Sequence, residues 1–245
     1  MLYGRFARYY DLVYSGKDYE KETRIIMDLV KRAGVKGRDL LDVGCGTGRH
    51  AVLLSEKGFK VTGIDLSPEM LKVAKRRSKK VRFLQGDMRT FDLGKEFDVI
   101  ICMFSVIHYN RHLRDLEKTL RNFYRHLKTG GLLIFDMGFN EERMGWMEDG
   151  TSHVLSRSDG DVDLVRFDKI KKGAGKVEFY MGYILFKNGR FYFGKEKHVL
   201  GSFKTTDVKK LTERIGFKTK LYTYDLKPWR KTSKKYVIFS CVKRS

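Results

Sequence analysis

Residues 39–67 confine the fold of this chain more tightly than any other stretch. DLLDV (Asp39–Val43) is an apolar run of strand length that breaks abruptly into GCGTG, with glycines at 44, 46 and 48. RHAVLLSEKG then shows helical spacing and ends at Gly58, and KVTGIDLS (Lys60–Ser67) is a second apolar run. Strand, glycine turn, helix and strand make a βαβ unit. Its strands are parallel and its crossover right-handed, because a twisted strand feeding a right-handed helix packs back onto the sheet only that way.

The same rhythm runs on in both directions. Ile25, Ile26, Leu29 and Val30 recur at helical spacing within Asp18–Ala33, and Gly34 and Gly37 stop that helix. Ser67 and Pro68 predict the start of a further helix over PEMLKVAKRRSKK, with serine as cap and proline in the first turn. VRFLQGD and the wholly apolar FDVIICMFS (Phe97–Ser105) read as strands of a parallel sheet covered on both faces. LRDLEKTLRNFYRHLKTGG reads as a helix closed by Gly130 and Gly131, and LLIFDMG as the fifth strand.

After Gly138 the pattern changes. Thr151–Phe203 holds β-branched and aromatic runs joined by KKGAGK and KNGR, and Asn188-Gly189 is a strong hairpin signal. The expectation is a small antiparallel insert of three strands, residues 139–203, in a core of residues 1–138 and 204–245. TTDVKKLTERIG, FKTKLYTYDL and KKYVIFSCVK supply a last helix and two closing strands, for seven core strands in all. The insert would stand above the C-terminal edge of the sheet, where open α/β folds bind ligands. A lid or substrate wall and an oligomer contact are equally open to it, since its exposed strands offer edges for pairing between copies.

Composition bounds the setting. The 245 residues hold 51 Lys and Arg against 30 Asp and Glu, a net charge of +21. KVAKRRSKKVR (Lys72–Arg82) has seven cations and no acid. Such a field attracts polyanions, although a solvated lysine-rich surface would look the same. No apolar run approaches the ~20 residues of a membrane span, so no membrane partner is expected. The three cysteines, 45, 102 and 241, form no CxxC pair and no metal spacing. A reduced cytoplasmic setting without a bound metal is expected, and the polar, aromatic N-terminus lacks the apolar segment of a secretion signal.

What the glycine loop holds follows from two carboxylates and one arginine. A dinucleotide fingerprint, G-x-G-x-x-G, needs a third glycine at position 49, and the residue there is Arg49. Asp42, two residues before Gly44, would repel a pyrophosphate and attract an ammonium group. Asp65 closes the second strand, 21 residues after Gly44, where a carboxylate can accept both ribose hydroxyls. A ligand with ribose hydroxyls at one end and an amino acid at the other is S-adenosylmethionine, with S-adenosylhomocysteine as its product.

LLDVGCGTGRH, VTGIDLSPEMLKVAKRR, FLQGDMRTF, FDVIICMFSVIHY and LKTGGLLIFDM together resemble the ordered motifs of class I S-adenosylmethionine-dependent methyltransferases, over Leu40–Met137. The resemblance implies a Rossmann-like sheet of order 3-2-1-4-5-7-6 with strand 7 antiparallel. It also implies site residues. Gly44, Cys45 and Gly46 would line the methionine portion near Asp42, and Asp65 would bind the ribose. Leu66 and Met70 would flank the adenine, Asp87 would accept from its amine beside Met88, and Met103 would offer its carbonyl to the ammonium. FARYYDLVYSGKDYEKE, MFSVIHY and HVLGSFKTTDVKKLTERIGF further resemble small-molecule N-methyltransferases of the nucleotide-linked amino-deoxysugar and glycine/sarcosine type. That likeness would have Tyr10 and Tyr14 close the pocket and Arg24 meet the methionine carboxylate.

On the acceptor side, His108 in SVIHYN is the candidate base, with a structural histidine as the competing reading, and Tyr109 and Tyr14 are candidate hydrogen-bonding partners. The loop after the fourth strand lacks the Asn/Asp-Pro-Pro-aromatic pattern of enzymes that methylate exocyclic base amines. No Pro-Cys dipeptide supports thiol chemistry on a base. The expected reaction is methyl transfer to nitrogen or oxygen of a small polar, anionic metabolite. An RNA methyltransferase is the alternative that the basic segments keep open.

Overall fold

The computed structural model describes residues 7–145, 148–231 and 236–244. Strands β1 (Asp39–Val43), β2 (Lys60–Asp65), β3 (Arg82–Gln85), β4 (Phe97–Cys102) and β5 (Leu127–Met137) run parallel. Two late strands complete this sheet. Of these, β11 (Val237–Lys243) lies antiparallel between β5 and β10 (Phe217–Tyr222), giving the order β10-β11-β5-β4-β1-β2-β3. Counted within the core sheet, that is the 3-2-1-4-5-7-6 order expected from the resemblance, with its last strand reversed.

Alternation along the central strands explains why both faces are covered. Leu41, Ile100, Cys102, Leu133 and Phe135 enter one core, and helices α5 (Leu113–Arg125) and α7 (Thr205–Ile215) supply its Phe123, Leu120 and Val208. Leu40, Val99, Ile101, Leu132 and Ile134 enter the other, closed by α2 (Tyr19–Ala33), α3 (Arg49–Glu56) and α4 (Pro68–Arg77) through Ile26, Leu54 and Ala74. Successive strand residues point to opposite faces, so a wholly apolar strand needs helices on both. The side chain of Ser67 accepts from the Met70 N–H at 3.2 Å, the cap expected from the sequence, and Asp18 caps α2 in the same way.

Two expectations are corrected. The fifth helix was expected to run to Gly130, but it stops at Arg125, because the Phe97 N–H at the head of β4 takes the His126 carbonyl. The insert has four antiparallel strands rather than three: β6 (Ser152–Asp159), β7 (Val162–Gly173), β8 (Lys176–Lys187) and β9 (Arg190–Gly201), paired in that order. The missed strand, SHVLSRSD, is an edge strand with no buried residue, so it carries no apolar alternation to be read. Asn188 and Gly189 both have positive φ, 49° and 70°, as a tight β8–β9 hairpin requires. The insert's inner face (Leu164, Met181, Tyr183, Leu185) packs against Val13, Leu12 and Tyr14 beside the short helix α1 (Tyr10–Val13). No helix among the described residues is long and apolar enough to cross a membrane.

Candidate active site

A cavity of about 790 Å³ opens where the C-terminal ends of β1, β2 and β4 meet the insert. One wall is the glycine loop. Gly44 has φ 71°, and a Cβ there would meet Val106 Cγ1 at 2.4 Å. Gly46 has φ 54°, lines the cavity, and would meet nothing with an added Cβ. The first glycine therefore lets a neighbour close in, and the second leaves the loop backbone open to a ligand.

Asp65 anchors the adjacent wall. Its two carboxylate oxygens accept from the Ser67 N–H and the Gly46 N–H, each at 2.8 Å. Burial raises its pKa, and those backbone donors counter part of the rise. Asp87 stands further along, gripped by Arg89, whose Nη2 lies 2.6 Å from Oδ2; that guanidinium holds the carboxyl below its ordinary range. Leu66, half exposed, the buried Met70 and the partly buried Met88 add apolar surface between the two acids. Tyr10, Phe104, Val106 and Tyr109 line the cavity from the N-terminal helix and the β4 loop, and Lys195–Val199 of β9 close the far side.

Asp42 lies directly behind this lining. It is buried, its Oδ2 has no hydrogen-bond partner, and burial pushes its carboxyl up to about 7. An orphaned carboxylate oxygen beside Val43 and Gly44 suits an ammonium group and disfavours a pyrophosphate.

Comparison with known proteins agrees with this geometry. Residues 40–131 match the methyltransferase domain family. The dTDP-3-amino-3,6-dideoxy-alpha-D-glucopyranose N,N-dimethyltransferase of Streptomyces fradiae is 37% identical over 152 residues, 60% of this chain and 60% of that protein. The dTDP-3-amino-3,4,6-trideoxy-alpha-D-glucopyranose N,N-dimethyltransferase of Streptomyces venezuelae is 36% identical over 178 residues, 71% of this chain and 74% of that enzyme. This chain belongs to the S-adenosylmethionine-dependent methyltransferase family. Among solved structures, the sugar N-methyltransferase KedS8 from a Streptoalloteichus species superposes with a TM-score of 0.85 at 26% identity, covering 100% of this chain and 94% of that one.

Within this methyltransferase, several residues expected at the site stand elsewhere. Arg24 is on the exposed side of α2, 3.7 Å from Glu20, and does not line the cavity. The cation that the N-terminal segment turns inward is Lys17, paired with Glu22 and lying 4.2 Å over the Phe104 ring. His108 is fully buried. Its Nδ1 bonds the Gly201 carbonyl at 2.7 Å and its Nε2 accepts from the Phe139 N–H at 3.2 Å, and burial lowers its pKa to about 4. Both nitrogens are tied to backbone and neither belongs to the cavity wall, so the geometry is that of the structural histidine, the competing reading. Tyr14 stands behind the lining, edge-on to Phe104, and its hydroxyl accepts from Arg166 Nη1 at 3.0 Å. The side chains of Cys45 and Met103 are buried in the sheet core, with Cys45 Sγ toward Gly63, while the role expected of Met103 belongs to its backbone carbonyl at the end of β4.

Three groups at or near the site escaped the sequence reading. Asp11 accepts from Thr47 Oγ1 at 2.8 Å and Arg49 Nε at 3.0 Å, and pairs with Arg77, so it fastens α1 across the glycine loop. The arginine that breaks the dinucleotide fingerprint is thus a latch residue. Phe104 and Ser105 both hold φ 62°, a left-handed conformation costing ~1–3 kcal/mol for each non-glycine residue. Asp136 holds that turn through the Ser105 N–H at 2.6 Å, with Tyr224 Oη donating to its other oxygen at 2.6 Å. Third, β9 brings His198 and Glu196 into the cavity wall.

Proposed function

We propose that this protein methylates an amine nitrogen of a small polar metabolite, and that the acceptor is an amino sugar carried on a nucleoside diphosphate. The single observation carrying this reading is one cavity with two unlike ends. The glycine loop, Asp65 and Asp87 form the end that suits the cofactor, and the insert strand β9 walls the other. Arg111 and Lys195 in the cavity lining suit a diphosphate, as does the overall charge of +21, whereas Lys197 is paired with Glu178. The relatives from Streptomyces fradiae and Streptomyces venezuelae are both named for dTDP-linked amino sugars, which favours nitrogen over oxygen as the acceptor.

When bound, S-adenosylmethionine supplies a methyl group already activated on its sulfonium. The protein's own work is alignment, exclusion of water and removal of a proton from the acceptor. Alignment of two held reactants can be worth ~7–11 kcal/mol of barrier. In this reading Asp65 accepts from the ribose, Asp87 from the adenine amine, and Asp42 with the Gly44–Gly46 backbone receives the amino-acid tail. Leu66, Met70 and Met88 grip the base. Tyr10, Phe104 and Val106 keep the transfer region poor in water. Tyr14 and Arg166 act behind them, holding Tyr10 and Phe104 in place.

The test is methyl transfer from labelled S-adenosylmethionine to dTDP-3-amino-3,6-dideoxy-α-D-glucopyranose, with bulk tRNA as a parallel acceptor. One or two methyl groups added to the sugar amine are expected, and none to tRNA. Label appearing in tRNA alone would overturn the reading in favour of an RNA enzyme.

A further inference from the structure

Two buried histidines stand near the cavity, and their surroundings divide their roles. His108 is held between two backbone groups. His198 is held between two ionisable side chains that line the cavity with it: its Nδ1 lies 2.7 Å from Tyr109 Oη and its Nε2 lies 3.1 Å from Glu196 Oε2. Glu196 and His198 are two apart on β9, so they share one face of the strand. Tyr109 ends the 3-10 turn Val106–Tyr109 that follows β4 and lines the cavity near the glycine loop. The His108–Gly201 bond ties that turn to the end of β9, which fixes Tyr109 against His198.

We infer that Tyr109, His198 and Glu196 form a proton-accepting relay for the acceptor amine, with Tyr109 as the catalytic residue and His198 and Glu196 as positioning residues behind it. This rests on the amine-methylation reading above. The tautomer follows from the partners. A carboxylate only accepts, so His198 donates from Nε2 to Glu196, which leaves Nδ1 to accept from the Tyr109 hydroxyl. A primary amine enters water-poor surroundings from neutral solution as an ammonium ion. Its N–H bond breaks as the proton passes to Tyr109 Oη, and the tyrosine's own proton passes to His198 Nδ1. The amine keeps the electron pair for the new N–C bond, and the charge left on the protein is an imidazolium facing the Glu196 carboxylate. That proton returns to water on product release, and no oxidant or reductant is involved. The logic is that of a base oriented by a third group.

The variants Tyr109→Phe, His198→Asn and Glu196→Gln test this in two ways. With the dTDP-linked amino sugar as acceptor, kcat is expected to fall by ~10²–10⁴-fold in Tyr109→Phe and His198→Asn. Glu196→Gln should fall less, and acceptor KM and S-adenosylhomocysteine affinity should stay near wild type in all three. The Tyr109→Phe/His198→Asn double variant should be no slower than the slower single variant, because the pair acts as a unit. Independent of turnover, ¹⁵N NMR of the imidazoles should find His198 protonated at Nε2 alone, and this preference should weaken in Glu196→Gln. Should wild type leave the sugar unmethylated while His198 keeps that tautomer, the substrate reading fails and the relay geometry stands. Near-normal kcat in all three variants, multiplying losses in the double variant, or a proton resident on Nδ1 would overturn the relay.

Discussion

With Asp42 receiving the amino-acid tail as proposed, cofactor affinity becomes coupled to pH. Its carboxyl titrates near 7 in the folded protein against about 3.9 when unfolded, so the folded state holds the proton more tightly. Two consequences follow. Without ligand, Asp42 subtracts stability as pH rises between those values. An ammonium-bearing ligand prefers the ionised form, so S-adenosylhomocysteine affinity should rise from about pH 6 to about pH 8 and then level off. Calorimetry should record the release of a proton at the lower end, and Asp42→Asn should flatten the profile while weakening binding. Gly44 gives a second prediction at this scale. Gly44→Ala places a methyl against Val106 at a positive φ, and should cost ~1–3 kcal/mol on urea unfolding together with most cofactor affinity.

Between elements, two carboxylates brace the parts of the site that sit outside the sheet. Asp136 braces the left-handed Phe104–Ser105 turn from inside the sheet. Its removal in Asp136→Ala strands the Ser105 N–H and the Tyr224 hydroxyl, which should cost ~2–4 kcal/mol and lower kcat by releasing Phe104 from the cavity wall. Asp11 holds α1 to the loop and α4 through Thr47, Arg49 and Arg77. Asp11→Ala should speed cofactor release in stopped-flow displacement and leave the melting midpoint nearly unchanged. These elements also mark how far the sequence could be read. Asp39–Val43 was legible to the residue, and Pro68–Arg77 and Phe97–Cys102 were legible at their starts but read three residues too long, because buried strands and capped helix starts carry strong local signals and their ends do not. Lys195, Glu196 and His198 were not, because their place in the cavity is set by the register of β9 on β8 and by the docking of the insert, which no local pattern encodes. The same limit hid the roles of His108 and Arg24, whose types and positions were suggestive and whose directions were not.

For the whole molecule, charge and shape divide the labour between core and insert. The core supplies the loop, Asp65 and Asp87 from strand ends, and strand β9 of the insert adds the far wall, with Glu196 and His198 on one face. If Arg111 and Lys195 receive an anionic acceptor, its KM should rise with salt and rise several-fold in Arg111→Gln/Lys195→Gln, with cofactor affinity unmoved. The premise beneath every assignment is that the pocket next to β1 takes a sulfonium amino acid rather than a dinucleotide. Isothermal titration measures that directly. One S-adenosylhomocysteine should bind per chain, with uptake abolished by Asp65→Ala and no heat from NAD. Tight NAD binding with no response to S-adenosylhomocysteine would contradict it.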